Sequence, residues 1–441
     1  MERLLDWAEE VLTHAKRVSE AAEVFCTSSR ETSVNFQANR LKQAEGKEST
    51  GVVLRIIREG RIGLSVAAGL EDVRTLVDMA VETSQFGPPA KLELPSLKAY
   101  PQVEVFDPRV DEVKPEEMVE LGAELIARVR EHTPEVLCEV EVSRGVVSTL
   151  ILNSRGGRVS YPKSVFGLAL GGTLIRDTDM LFVGDSESSC HSLRESGKLA
   201  GLVIEQLELA RNEAKAPTRP LPVIFTPRAV ASTLIAPLAL AFNGKMVLEG
   251  ASPLRDRQGE RAFDPRLSLW DDATMVYRPH SRPSDDEGIP SQRTTLIEEG
   301  VIANYFYDLQ TAALAGVSST GNGSRARGGM PAPGISSLSI SEGETSFAEM
   351  VQDMKEGLVI ERLMGAEQGN LLGGEFGGNV LLGYKVEGGE MVGRVKDTMV
   401  SGNVYEILKD LVAIGREATW VGGFVKAPPL YCRSLSVATS R

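Results

Sequence analysis

The side chains able to do chemistry in this 441-residue chain are few and far apart. Four histidines, His14, His132, His191 and His280, have no partner at metal-ligand spacing. His14 falls in an amphipathic helical stretch, and His132 at a helix end before Pro134. Cys190-His191 is a thiol–imidazole neighbour pair, but nucleophile and base normally come from distant segments. The pattern predicts a packed thiol beside a surface histidine. Cys432, inside the alternating run Leu430–Val437, reads as a packing residue.

Asp271-Asp272 and Asp285-Asp286-Glu287, with His280 between them, lack the order of a calcium loop. Adjacent acids on extended chain point to opposite faces, so only half could converge on one ion. Asp285, Asp286 and Glu287 are therefore expected to be turn and capping groups, with no metal held by this chain. Arg325 and Arg327, beside Gly328-Gly329, read as a small basic loop able to hold a carboxylate such as a peptide C-terminus.

Glycine-rich loops invite a nucleotide reading, which their spacing denies. Gly321-x-Gly323 is followed by Ser324-Arg325-Ala326, and Gly373–Gly378 lacks the Lys-Ser/Thr of a phosphate loop. Glycine there permits tight turns and close backbone approach. Thr320, Gly321, Asn322, Gly323, Gly374 and Gly377 are thus candidates for lining a groove where an extended peptide pairs with a strand edge. The plainer alternative is hairpin turns packed on the core.

The elements that must carry these residues follow from periodicity. Leu4, Ala8, Val11, Leu12, Ala15 and Val18 share a helical face, and Val34, Phe36 and Ala38 alternate as a strand. Val52–Ile56 and Ile62–Val66 flank Glu59-Gly60 as a hairpin, and a helix is predicted over Glu71–Ser84. Residues 87–115, with six prolines, read as an extended crossing. Further helices are predicted over Glu116–Glu131 and Leu193–Asn212, and strands over Val136–Leu152 and Ser164–Ile175. Lys215–Pro220 is the best boundary, since proline cannot continue the helix before it.

About half of the 43 glycines lie between Gly316 and Gly423, and Glu299-Gly300 and Gly388-Gly389 mark hairpin turns. Helices are predicted to interrupt that region over Phe347–Glu356 and Val404–Ile414. The expected class is α+β: an N-terminal α/β domain (1–216) and a β-rich, mainly antiparallel C-terminal domain (217–441).

Composition bounds the function. Apolar residues make up 42% and charged residues 25%, enough for real cores. A net charge of −13 repels a phosphate backbone, so no nucleic-acid partner is expected. Four scattered cysteines suit reduced thiols in the cytoplasm. The first residues lack the apolar core of a signal peptide. The uncharged stretch Ala229–Gly244 is too short to span a bilayer and contains Pro237, so it predicts a buried helix and no membrane partner.

An ordered set of motifs remains: Val223-Ile224-Phe225-Thr226-Pro227, Glu249-Gly250-Ala251-Ser252, Asp285-Asp286-Glu287-Gly288, Ser319-Thr320-Gly321-Asn322, Gly373-Gly374-Glu375-Phe376 and Val400-Ser401-Gly402-Asn403. In that order they resemble the TldD/PmbA family, the so-called modulators of DNA gyrase, in the style of its PmbA (TldE) branch. The resemblance implies a metallopeptidase-family member acting in proteolysis. In the active branch two histidines of a His-Glu-x-x-x-His helix and a later cysteine hold zinc, and the glutamate is the base. The corresponding helix here, Ser232–Leu240, offers no nitrogen, sulfur or carboxylate, and the expected cysteine is missing around Val421-Gly422-Gly423. Zinc catalysis needs about three protein ligands and an open position. The resemblance therefore implies a pseudoenzyme without catalytic residues or a cofactor of its own. It also implies a dimer, with a zinc-bearing TldD-like homologue or with itself, handling peptide or unfolded protein. Alternatives are a stand-alone peptide-binding homodimer and a metallopeptidase using Asp271–Glu287 and His280 as atypical ligands.

Overall fold

The computed structural model describes residues 2–70, 72–177, 179–194, 197–325 and 329–439. Helix α1 (Glu2–Ala15) buries Leu4, Ala8, Val11 and Ala15, one face of a 3.6-residue repeat. Val18, placed on that face by periodicity, lies beyond the helix end and is exposed. Strands β1 (Ala21–Gln37), β2 (Arg40–Arg58) and β3 (Arg61–Ala68) form a meander. Its first turn takes Ala38 out of the expected alternation, with φ 49°. The second turn is Glu59-Gly60, both residues at positive φ as a two-residue hairpin requires.

Helix α2 (Val73–Ser84) starts at its Asp72 cap, and the proline-rich crossing is extended except for α3 (Pro108–Glu112). Helix α4 (Pro115–His132) leads into β4 (Leu137–Asn153), β5 (Arg158–Arg176) and β6 (Asp179–Ser189), followed by α5 (Gly197–Leu209). The sheet order is β3-β2-β1-β4-β5-β6, antiparallel throughout, with β6 at an edge. Val140, Val142, Leu150 and Leu152 have the same parity along β4, and they meet the helices on that one face.

Beyond residue 220 the architecture is β-rich, with antiparallel pairing predominant. Strands Leu221–Phe225, Leu430–Thr439, Thr398–Asn403, Glu375–Glu387 and Glu356–Met364 pair in that order, and the last also pairs with the first, closing a barrel. Closure removes free edges among these strands. A second sheet runs Val301–Ile302, Arg293–Glu298, Leu269–Asp272, Leu338–Ile340, Val425–Ala427 and Thr419–Val421, the last at an edge. Glu299-Gly300 and Gly388-Gly389 make tight turns with positive φ at both residues.

The α+β class and β-rich second half follow the sequence pattern. The second half's helices are shorter than periodicity suggested. Phe347–Asp353 is helical, but Val404–Ile407 is only one turn, and Leu411–Ile414 becomes a strand pairing with Leu430–Cys432. Apolar runs of that length fit a buried strand as readily as a helix. Ala229–Gly244 is buried helix in the main, wound as α over Pro227–Ala229, as π over Val230–Leu234 and again as α over Ile235–Ala241. Among the described residues, no helix is long and apolar enough to cross a membrane.

The halves are not insulated from each other. Ile224, Val359, Leu382 and Tyr384 of the barrel share one apolar cluster with Leu168, Val183, Val203 and Leu207 of the first half.

Candidate functional site

Two polar constellations lie where the halves meet. One is packed solid and the other is hollow.

In the solid one, Ser284–Pro290 is pinched by an isolated bridge, and Gly288 turns it at φ 75°. The Asp285 carboxylate accepts from the Glu287 and Ile289 amides at 3.0 and 2.8 Å and from the Gly323 amide at 2.8 Å. Asp286 takes Arg282 at 2.8 Å and the Arg325 amide at 2.7 Å. Glu287 takes Arg55 of β2 at 2.6 Å and the Leu309 amide at 2.7 Å. Arg55 also donates to Glu23 of β1 at 2.9 Å, and Glu23 pairs in turn with Arg325. Charges thus alternate along Arg325, Glu23, Arg55 and Glu287, all buried, the arrangement that offsets desolvation. Burial, then the Glu287 carboxylate, pushes the Asp285 carboxyl up to about 8.

The loop Ser319–Gly323 belongs to this constellation. Thr320 Oγ1 donates to the Tyr307 carbonyl and accepts from the Tyr307 amide. Asn322 donates to Asp271 at 2.7 Å, and Asp271 also accepts from the Ser336 amide and hydroxyl. Gly321 sits at φ 75°, and a Cβ on Gly323 would stand 2.7 Å from Glu287 Oε2. Gly374 and Gly377 lie elsewhere. Gly374 turns at φ 79° against the Tyr405 ring, and Gly377 lies in the barrel strand beside Met399 and Ser401. These two groups of groove candidates have separate surroundings, and Thr320–Gly323 is buried.

Other expectations resolve individually. Cys190 is buried, while His191 turns away to Asp107 at 3.0 Å and stacks on Tyr277, so thiol and imidazole form no pair. Arg325 is no exposed loop residue: its guanidinium is buried, committed to Glu23 and set over the Phe25 ring. Arg327 and Gly328 lie outside the described residues. Cys432 packs in the barrel core, and His132 is held by Thr133 and Glu208. Among the described residues, no group of three or more His, Cys, Asp or Glu could hold a metal ion.

The hollow constellation is a cavity of about 550 Å³. Its walls come from the β6 edge, α5, the turn Thr226–Arg228 that opens the π-containing helix, the barrel strands and the edge strand Thr419–Val421. Gln206 fixes the β6 side, exchanging hydrogen bonds with the Gly184 amide and carbonyl. Gly184 therefore directs its backbone groups outward from the sheet, and strand periodicity does the same for Ser186 and Ser188. Ser188 Oγ donates to the Gly422 carbonyl at 3.1 Å, closing one end. Gly423 is required there, since a Cβ would meet the Ser188 carbonyl at 2.7 Å with φ already 77°.

Arg228 bridges Asp185 at 2.6 Å and Glu361 at 2.8 Å, and Thr226 donates to Glu361 at 3.1 Å. Arg278 lies 4.4 Å over the Trp420 ring. Tyr384 lines the same space, is 1% exposed, and its hydroxyl has no hydrogen-bond partner. Burial and then Glu361 hold its phenol well above the ordinary range, so it stays protonated. An unsatisfied buried hydroxyl costs about 1–3 kcal/mol.

Sequence reasoning missed this cavity. Its polar residues come from seven separated segments, and only the Thr226-Pro227 and Val421–Gly423 motifs touched its rim. Val421–Gly423 is also where, by resemblance, the active branch's ligand cysteine would be expected.

Comparison with known proteins agrees with the motifs. The model of the PmbA/TldA metallopeptidase C-terminal domain matches residues 218–439, and that of PmbA/TldA metallopeptidase domain 1 matches residues 22–84. The chain is 25% identical over 430 residues to the metalloprotease PmbA of Escherichia coli O157:H7, covering 90% of this chain and 88% of that one. It is 23% identical over 439 residues to a metalloprotease of Methanothermobacter thermautotrophicus, covering 95% and 92%. The crystal structure of TldE from Thermococcus kodakarensis has the same fold, with a TM-score of 0.90 at 23% identity over 98% of this chain and 100% of that one.

Proposed function

The chain belongs to the PmbA/TldA metallopeptidase family, and from that premise we propose that it is the non-catalytic subunit of a zinc peptidase acting on peptides or unfolded proteins. The observation that carries this reading is the donor chemistry of one helix. Across Val230–Ala241 every side chain is apolar except Ser232 and Thr233, and neither hydroxyl is a usual zinc ligand. The opposite segment, Val421–Gly423, supplies no sulfur. Where two imidazoles and a thiolate would converge, this chain has alkyl groups and glycine, so neither Lewis acid nor activated water can be assembled from these residues.

Zinc is accordingly assigned to a homologous partner carrying His-Glu-x-x-x-His, and this chain to assembly and peptide handling in the cytoplasm. The Arg228, Asp185 and Glu361 cavity, with its unpartnered Tyr384 hydroxyl, is the place where peptide would be held.

The test is hydrolysis of an unfolded protein such as reduced casein by this chain, by the histidine-bearing homologue, and by the mixture. Cleavage by the mixture exceeding the sum of the parts supports the reading. Cleavage by this chain alone, with zinc retained, overturns it. Peptide capture without cleavage in any arm favours the stand-alone peptide-binding homodimer.

A further inference from the structure

The cavity has a charge imbalance that indicates what it would take. Glu361, Arg228 and Glu205 line the cavity with Tyr384 and are the charged groups that act on its ionisation. Arg228 is already shared between Glu361 and Asp185, so with Lys198 of α5 two cations face three carboxylates, counting Glu205 on the same helix. Elsewhere on the wall, Arg278 lies against Trp420 and is acted on by Glu187, so that end is closer to balance. The wall as a whole carries more carboxylates than cations.

The unpartnered phenol is a second, independent sign. It is 1% exposed and lines the space, and its oxygen offers both lone pairs as well as its proton. A primary ammonium has three donors and no acceptor, so it can bond the phenol oxygen and neighbouring carboxylates at once. A carboxylate ligand would meet the acids head-on. A cavity of about 550 Å³ lies within the range of small-ligand pockets.

We propose that this cavity is a binding site for a primary ammonium carried by a peptide, its free N-terminus above all, with Tyr384, Glu361 and Glu205 as the recognising groups. The proposal deepens the peptide-handling reading by naming which end of the peptide enters.

The experiment is calorimetric titration of the full chain with trialanine, N-acetyl-trialanine and an N-acetylated tripeptide with lysine at its centre. Trialanine is expected to bind, with acetylation weakening it about tenfold or more through loss of a charge-assisted hydrogen bond. Binding by the acetylated lysine peptide alone keeps the ammonium site and assigns its source to a side chain. Tyr384→Phe is expected to weaken trialanine about fivefold or more while leaving the thermal midpoint unchanged or raised, because the hydroxyl has no partner to lose. A purely structural hydroxyl would do the reverse. Equal affinity for trialanine and its acetylated form, unchanged affinity in Tyr384→Phe, or no binding of any peptide overturns the proposal. Failure of the subunit reading is seen separately, in the mixed hydrolysis assay, and leaves this binding result standing.

Discussion

Arg55 of β2 donates to Glu287 at 2.6 Å from the opposite half of the chain, and both side chains are buried. Removing the cation would leave the buried Glu287 without a guanidinium and Glu23 with Arg325 alone. Arg55→Ala is therefore expected to destabilise the fold by about 3–5 kcal/mol. Urea denaturation followed by tryptophan fluorescence measures it. The exposed pair Arg433–Asp410 is the control, and Arg433→Ala should leave the midpoint unmoved.

Stability should fall as pH rises from 5 to 8. The Asp285 carboxyl, raised from 3.8 to about 8 by burial and by Glu287, favours the protonated form in the fold. Its contribution is complete below pH 3.8 and is lost as pH rises towards 8. Thermal midpoints between pH 5 and 8 should trace that fall, and Asp285→Asn should flatten it. A midpoint rising steadily from pH 5 to 8 would contradict the assignment.

Gly323→Ala should cost about 1–3 kcal/mol, because its Cβ would stand 2.7 Å from Glu287 Oε2 and 2.9 Å from Asp285 Oδ2. Gly321→Val adds positive-φ strain to a 2.8 Å approach to the Pro290 carbonyl. Both variants should show lowered thermal midpoints before any change in peptide binding can be measured. A folded Gly321→Val protein of unchanged stability that no longer captures peptide would restore this loop as a groove wall.

All four cysteines are buried, and burial pushes Cys190 and Cys138 up to about 11 and Cys26 and Cys432 up to about 12. Thiolate is the reactive form. Ellman's reagent at pH 8 should thus label fewer than about one thiol per native chain, and all four in guanidinium. Rapid native labelling of Cys190 would revive a nucleophilic role beside His191.

What the sequence made legible was local. Glu59-Gly60 announces its hairpin because only a few residues tolerate two consecutive positive φ angles. Leu430–Val437 announces its strand, but a register shift between Cys432 and Leu435 breaks the alternation, and Cys432 is buried as the last of the run Leu430–Cys432. Leu411–Ile414 misled because a short apolar run fits strand and helix alike, and Asp179–Ser189 went unmarked because polar residues fill its second half. Arg325 resembled a free basic group because its partner, Glu23, is about three hundred residues away. The cavity was illegible for the same reason: Asp185, Arg228, Glu361 and Tyr384 have no mutual spacing, and only the closing of β6 against the barrel brings them together.

The π winding over Val230–Leu234 has a consequence for how such a chain could change its trade. On an α-helix, residues five apart point about 140° away from each other. In a π turn the i→i+5 bond stacks them instead. The histidines of a His-Glu-x-x-x-His motif stand five apart, so they need that winding to face one ion. Here Ala231 and Ala236 span it, both half-buried, while Thr233, Leu234 and Ile235 between them point into the core. A backbone wound in this way would let a few side-chain changes bring donors five apart onto one side of the helix, with no rearrangement of the main chain.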